Sequence, residues 1–476
     1  MTIRILPRSA LLRRCALALA LSALPFVHAS SAEAASAIGT VAPDLAKALA
    51  SVPKGALVIA APLATDMPTT RGDELAVRVA TQVAGKLEGA RVHNAPLSLS
   101  AAHAAAAKSP AFVWVQTEVK KGELRVTVDA FPVVTNSWDR LRRISPPPLA
   151  HAFASRPADA EVRSFYPPVL LEQTKVHKAR HGEGEVLAMA CGDLDADGGL
   201  ELALVTRNRV SVGRLRSGGY VVERAAPWAT LAKRAPVPLR EPLATAFFGL
   251  DGLLVGLSDR GGVRLDAALA PKDTLRGLPV SAAAGCASLL PEASAFDGMV
   301  LACVPPPAPP VAVPTKPAPA GKPTPAGKPK PPVEDGLVPP TTRFDAFAAL
   351  DLVSKEGITS TVMAAREPGG KLRLRRGDVT QVLENVGAQM LLADLDLDGE
   401  PEVVFSQDTG DDALTVLTWT KNGFQQRLRV PAPTGIRAVA ACPPEERGVP
   451  ALALAVGATF SADPAKPGLP EVWLVR

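Results

Sequence analysis

Aromatic residues are scarce in this chain, with 13 Phe, 5 Trp and 2 Tyr among 476 residues. Sugar sites and single-strand nucleic-acid grooves are built on such rings, so stacking surface for either is limited. Long apolar runs are missing too. The longest, Cys15 to Val27, has about 13 residues against the roughly 20 that a membrane-spanning helix needs. Catalytic signatures are absent: there is no G-x-S-x-G elbow, H-E-x-x-H, P-loop, or G-x-G-x-x-G in a strand-turn-helix setting. His177 and His181 stand four apart beside Glu183 and Glu185, but the surrounding glycines and lysines disfavour the helix that zinc ligation would need, so they read as exposed loop residues.

What basic charge there is sits at the start. Arg4, Arg8, Arg13 and Arg14 precede the apolar run, and small residues follow it around Ala29, the pattern of a signal peptide over 1–29. Removing that segment takes away four arginines and no acid, which lowers the formal charge from +5 to +1. A nucleic-acid partner needs a concentrated basic face and is not expected. A periplasmic or secreted protein is expected, with no transmembrane anchor after cleavage, and a Gram-negative bacterium as its source. Four cysteines then remain, Cys191, Cys286, Cys303 and Cys442, in a compartment that permits disulfides. Cys286 and Cys303 flank two candidate strands that fold about "EASAFDG", which makes them candidate cross-strand neighbours; the alternative is four buried small hydrophobes.

Five segments follow the leader. Residues 30–49 read as a linker. Residues 50–143 alternate strand and helix patterns in the order β-α-β-α-β-β, ending in a hairpin that turns at "KKGE". Residues 144–160 read as a second linker. From 161 to 476 short apolar runs recur, beginning near Val186, Leu243, Ala284, Phe344, Gln389 and Ile436, mostly at the spacing of a four-stranded blade. Aligning Cys191 with Cys442 brings "LELALV" opposite "ALALAV" without a gap. The fold class is therefore mainly β, a six- or seven-bladed β-propeller preceded by a small α/β domain. The C-terminal "PEVWLVR" is expected as a blade strand, closed by a strand from "PPVLLEQTKV". Residues 304–340 are proline-rich, which rules out a central strand and predicts a disordered insertion within one blade.

Against this texture two segments stand out, "CGDLDADGGLELALV" and "LADLDLDGEPEVVFS". Asp193, Asp195 and Asp197 alternate before Gly198, with Glu201 opening the next strand, and Asp394, Asp396, Asp398, Gly399 and Glu402 repeat the spacing. Alternate carboxylates in a tight loop converge on one point, as a hard cation with oxygen ligands requires. An EF-hand is excluded because position 12 is Leu204 or Phe405 and a strand follows. The alternative is a polar turn whose aspartates cap backbone donors. The pattern D-x-D-x-D-G with an acid at position nine resembles the FG-GAP or VCBS-type repeats of exported propellers. That resemblance implies two structural calcium sites with these eight acids as ligands. The element order of 50–143, with "VIAAPLATD", resembles the N-terminal α/β domain of TolB-type periplasmic proteins, which implies partners in the cell envelope.

The functional expectation is an exported, non-catalytic binding or scaffolding protein that engages envelope or extracellular proteins, with glycans as a second partner class. The competing expectation is a propeller-fold hydrolase or lyase acting on an extracellular polymer, with carboxylates from distant residues meeting at a channel.

Overall fold

The computed structural model describes residues 36–133, 147–234, 242–302 (interrupted at 250, 276, 283–284 and 293–294), 344–354, 359–457 (interrupted at 408, 421 and 445–447) and 469–476. The expected leader, the proline-rich run and Cys303 lie outside the described residues, and with them the expected Cys286–Cys303 neighbourhood.

Ile38, Val41, Ala42, Leu45 and Leu49 recur at helical spacing, and each is at most 1% exposed. They form the buried stripe of helix α1 (Ala37–Ala48), capped by the Ser36 hydroxyl accepting from the Gly39 N–H. This corrects the linker expected over 30–49. Gly39 and Pro43 give the segment a linker's composition, but the periodicity of its apolar residues decides the structure.

Helices α2 (Gly72–Ala84) and α3 (Leu99–Ala105) alternate with strands β1 (Leu57–Ala60), β2 (Ala64–Thr65), β3 (Arg91–Val92), β4 (Ala111–Lys120), β5 (Glu123–Pro132) and β6 (Ala150–Pro157). The sheet runs β3-β1-β4-β5-β6, with β2 beside β4. The β4–β5 hairpin reverses through Lys121 (φ 50°) and Gly122 (φ 73°), the paired left-handed conformation that matches strand twist. α1 and α2 cover one face, while α3 packs with Ile59, Phe112 and Phe131 on the other. Strand β6 corrects the linker expected over 144–160. It pairs with β5 from Ala150 to Pro157, with Ala152 and Ala154 inward and His151 and Phe153 outward, a period-two pattern that the neighbouring prolines obscure.

From Val176 onward the chain builds six blades. Blade one is β8 (Val186–Gly192), β9 (Glu201–Thr206), β10 (Arg209–Arg216) and β11 (Gly219–Pro227); blade two is β12 (Ala244–Gly249), β13 (Gly252–Leu257), β14 (Gly261–Leu265) and β15 (Pro271–Leu275). Blade three contributes β16 (Leu278–Ala282), β17 (Gly285–Glu292) and β18 (Ala295–Ala302), and blade four β19 (Ala346–Val353), β20 (Thr359–Glu367), β21 (Lys371–Arg376) and β22 (Val379–Leu383). Blade five is β23 (Val386–Ala393), β24 (Glu402–Gln407), β25 (Ala413–Thr420) and β26 (Gly423–Pro431). Blade six is β27 (Ile436–Cys442), β28 (Ala451–Val456) and β29 (Glu471–Val475), completed by β7 (Val176–Arg180) from before blade one. The inner strands β8, β12, β16, β19, β23 and β27 pack each on the next, and β27 returns to β8. The fold is thus a six-bladed β-propeller preceded by an α/β layer. One expected inner strand is corrected: blade three begins at Leu278, and the run near Ala284 is its second strand, because a middle strand is as apolar as an inner one.

The ring closes between blades six and one. β29 pairs antiparallel with β7 from Glu471 opposite Arg180 to Val475 opposite Val176, and the Lys178 ammonium lies 3.9 Å from the Trp473 ring centre. The closing strand therefore begins at the last residue of "PPVLLEQTKV", whose Leu171–Gln173 portion is a 3₁₀ turn. At the same seam Cys191 of β8 and Cys442 of β27 form a disulfide that spans 251 residues of sequence. A loop of that length puts its stabilisation at about 2–5 kcal/mol in the chain-entropy picture. Cys191→Ser with Cys442→Ser is expected to fold but to unfold at lower denaturant, with the midpoint in guanidinium read by tryptophan fluorescence. Reductant is expected to shift the parent to the same midpoint.

Candidate functional site: two acidic loops and a channel

Both acidic loops leave an inner strand and return as the next strand, so they stand at the same end of the propeller. Their backbones match. Ala196 (φ 58°) and Leu397 (φ 57°) adopt the left-handed conformation, as do Gly198 and Gly399 two residues later. Asp193 accepts from the N–H groups of Asp197 (3.2 Å) and Gly198 (2.8 Å), and Asp394 from those of Asp398 and Gly399, both at 3.0 Å. Glu201 and Glu402, both fully buried, accept from the Leu194 and Leu395 N–H groups at 2.8 and 2.7 Å. These carboxylates shape the loops whether or not a cation is bound.

The loops bring different acids together. Oxygens of Asp193, Asp195 and Asp197 lie within 4.8 Å of one another in the first, and those of Asp394, Asp396 and Glu402 in the second. Glu201 and Asp398 stand outside these groups.

Their electrostatic settings are opposite. The first loop is exposed and filled by guanidinium groups. Arg214 reaches Asp197 at 2.7 Å, Asp195 at 3.3 Å and Glu201 at 3.6 Å, while Arg224 pairs with Glu201 and lies 3.5 Å from Asp195. Arg214 holds the Asp197 carboxyl below its usual range. Among the described residues, the clustered acids of the second loop have one guanidinium ion-pair partner, Arg427, 3.4 Å from Asp396 and drawn away by Glu172 at 2.6 Å; Arg376 pairs instead with Glu400, and Arg163 acts on Asp396 only at longer range. Glu402 instead accepts from the Thr418 hydroxyl at 2.8 Å. Burial, then the neighbouring carboxylates, push Asp394 up to about 7 and Asp396 to about 6; burial, then Asp396, push Glu402 to about 9. Asp396 is 6% exposed, and its Oδ1 has no hydrogen-bond partner. A hard dication fits this second donor set, which has a buried oxygen to offer and too little positive charge. It does not fit the first, where arginines neutralise the acids.

The α/β layer sits on the end of the propeller that carries these loops. Gly122 meets Pro444, Gly448 meets Met67, and the Lys121 ammonium faces Gly198. The opposite end opens into a central channel of about 990 Å³. All six inner strands are edges of their sheets, so their unpaired backbone groups face this space among half-buried side chains such as Leu187, Leu391 and Val439. Glu185, Asp345 and Arg437 stand where inner strands begin and Arg207 in the β9–β10 turn at the same end, and the Thr245 hydroxyl and Asp345 Oδ1 are buried in the wall without hydrogen-bond partners.

The histidine pair is partly corrected. His177 lies exposed on β7, whereas His181, 3% exposed, is packed at the seam, and its pKa is lowered by burial. Glu183 pairs with Arg209 at 2.6 Å. Arg214, Arg224 and Arg427 were not foreseeable from the loop motifs, since they lie 13 to 31 residues beyond the acids they meet and reach them only through strand register.

The raised carboxyls set a pH dependence. A carboxyl whose folded pKa exceeds its unfolded value near 4 is held protonated by the fold, so the stability it contributes is present at low pH and lost as pH rises through the folded value. For Asp394, Asp396 and Glu402 that window runs from about pH 4 to about 9. Metal-free protein is expected to melt at progressively lower temperature across it, and Asp394→Asn to flatten the trend. Saturating calcium is expected to reverse the trend, as read by differential scanning calorimetry at several pH values.

No known protein family matches the chain, and no curated protein matches it. Among solved structures it is similar to TolB from Acinetobacter baumannii, at 13% identity over 80% of this chain and 94% of that one, with a TM-score of 0.30. The WD40 repeats of RRP9 are 11% identical over 75% and 92% of the two chains (TM-score 0.32), and AofleA from Arthrobotrys oligospora is 11% identical over 60% and 83% (TM-score 0.33).

Proposed function

We propose that the protein is an exported, non-catalytic binding protein of the bacterial envelope, and that its propeller channel receives a protein partner. The observation that carries this reading is the channel itself. Six sheet edges with unpaired donors and acceptors converge on one open space, and buried polar atoms of its wall lack partners. Such a surface is completed by a ligand that brings its own backbone hydrogen bonds. The scarcity of aromatic rings favours protein over glycan.

Calcium at the second acidic loop braces the end of the propeller that carries the α/β layer. Asp394, Asp396 and Glu402 would hold it, and the ion would supply the positive charge that Arg427 only partly provides.

The channel reading is tested at its mouth, away from both loops. Arg207→Glu with Arg437→Glu changes the charge of the opening without touching a blade interior. In crosslinking from envelope extracts, this variant is expected to lose at least about tenfold of the partner recovered by the parent, which corresponds to about 1.4 kcal/mol. An unchanged partner set and yield would move the binding surface to the α/β layer.

A further inference from the structure

The two loops share a backbone but have parted in what balances their charge, and while the first meets the α/β layer through the Lys121 side chain, only the second is tightly packed into the joint. Strand register makes the exchange explicit. Glu402 pairs with Thr418 across β24 and β25, and Gly213 pairs with Leu202, which puts Arg214 at the matching place opposite Glu201. After the same bulge in each blade, Val212 pairs with Arg224 and Val416 with Leu428. Where the first loop has two arginines, the second has a threonine and a leucine.

The second loop is also packed more closely than the first, whose Gly198 faces only the flexible end of Lys121. Gly399 lies against Ala160 and the backbone of Val353 and Ser354; a Cβ there would meet Ser354 Cα at 3.1 Å and Ala160 Cβ at 3.2 Å. Ala160 opens the short helix α4 (Ala160–Arg163), which is capped by Asp159 accepting from Val162 at 3.1 Å. Asp159 also accepts from the N–H of Ala37 at 2.6 Å, so the helix that touches the loop holds the first residue of α1. On the other side, Arg427 joins Asp396 to Glu172 in the connection that leads into β7. Loop, α4, α1 and connection form one continuous set of contacts, and Asp396 Oδ1 is left without a partner inside it.

From this we infer that the second loop is a cation-dependent clasp for the α/β layer, taking one divalent hard cation per chain, while the first loop is a guanidinium-braced copy that takes none. The inference rests on the calcium reading above and goes beyond it: occupancy at Asp394, Asp396 and Glu402 fixes α4 and the connection, and through them the seating of the whole layer. An ion that draws Asp396 inward relieves Arg427 of that charge and leaves it to Glu172. With no ion, Arg427 is divided between the two.

The test uses the full chain. Equilibrium dialysis with calcium is expected to give one ion per chain, and none in Asp396→Asn. Arg214→Thr with Arg224→Leu recreates the second loop's neighbours at the first and is expected to bind a second ion. Amide exchange is then followed by mass spectrometry on peptides from 36–49 and 158–175. Calcium is expected to slow exchange there at least about tenfold in the parent and in the arginine variant, with no such change in Asp396→Asn. Absence of bound calcium in the parent would defeat both the calcium reading and this inference. Bound calcium with unchanged exchange in those peptides would leave the first standing and overturn the second, as would two ions bound to the parent.

Discussion

The pairing of β29 with β7 is the contact on which the rest of the molecule depends. Blades stack face to face and none buries both of its faces alone, so a row of six leaves two apolar faces in water unless its ends meet. Here they meet twice over, through five backbone pairs between Glu471–Val475 and Val176–Arg180 and through the Cys191–Cys442 disulfide on the neighbouring inner strands. The cluster that joins Val186, Met189 and Leu204 to Ala453, Val472 and Leu474 is the core of that seam. Opening it would expose apolar surface at about 25 cal/mol per Å².

A closed ring has two unlike ends, and the chain uses them differently. Turns from inner to second strands gather at one end, where the acidic loops and the α/β layer are. Strand starts gather at the other, around the channel opening. The channel opening is therefore separated by the length of the inner strands from the loops, although the channel wall itself continues to Cys191 and Leu392, two residues short of Asp193 and Asp394.

The periodic parts of this fold were legible. Repeated apolar runs at blade spacing, with the closing "PEVWLVR", pointed to a propeller, since stacking imposes the same demand on every repeat. Five of the six inner strands fall where the runs predicted them. Composition misled where it competed with periodicity: Gly39 and Pro43 hid α1, and the prolines before Ala150 hid β6. The acidic loops were legible as loops because alternate aspartates with a glycine have few other uses. Their divergence was not, because Arg214 and Thr418 become equivalent only when a neighbouring strand sets them opposite Glu201 and Glu402. Likewise no feature near Cys191 or Cys442 named them as partners. They meet because equivalent positions of the first and last repeats become neighbours once the ring is closed.

The position of β7 also orders the assembly of the chain in time. This strand is made before any blade, yet its partner β29 is the last strand of the last blade. Until β29 is delivered, five blades and part of a sixth must wait as an open ring with unpaired edges, in a topology whose decisive contact has almost the largest sequence separation that the propeller allows. Such contacts form slowly, and exposed edges invite pairing with other chains in the interval. The burden of keeping this protein from aggregating therefore falls on the moments before β29 is in place, and loss of that one strand would prolong the open state indefinitely.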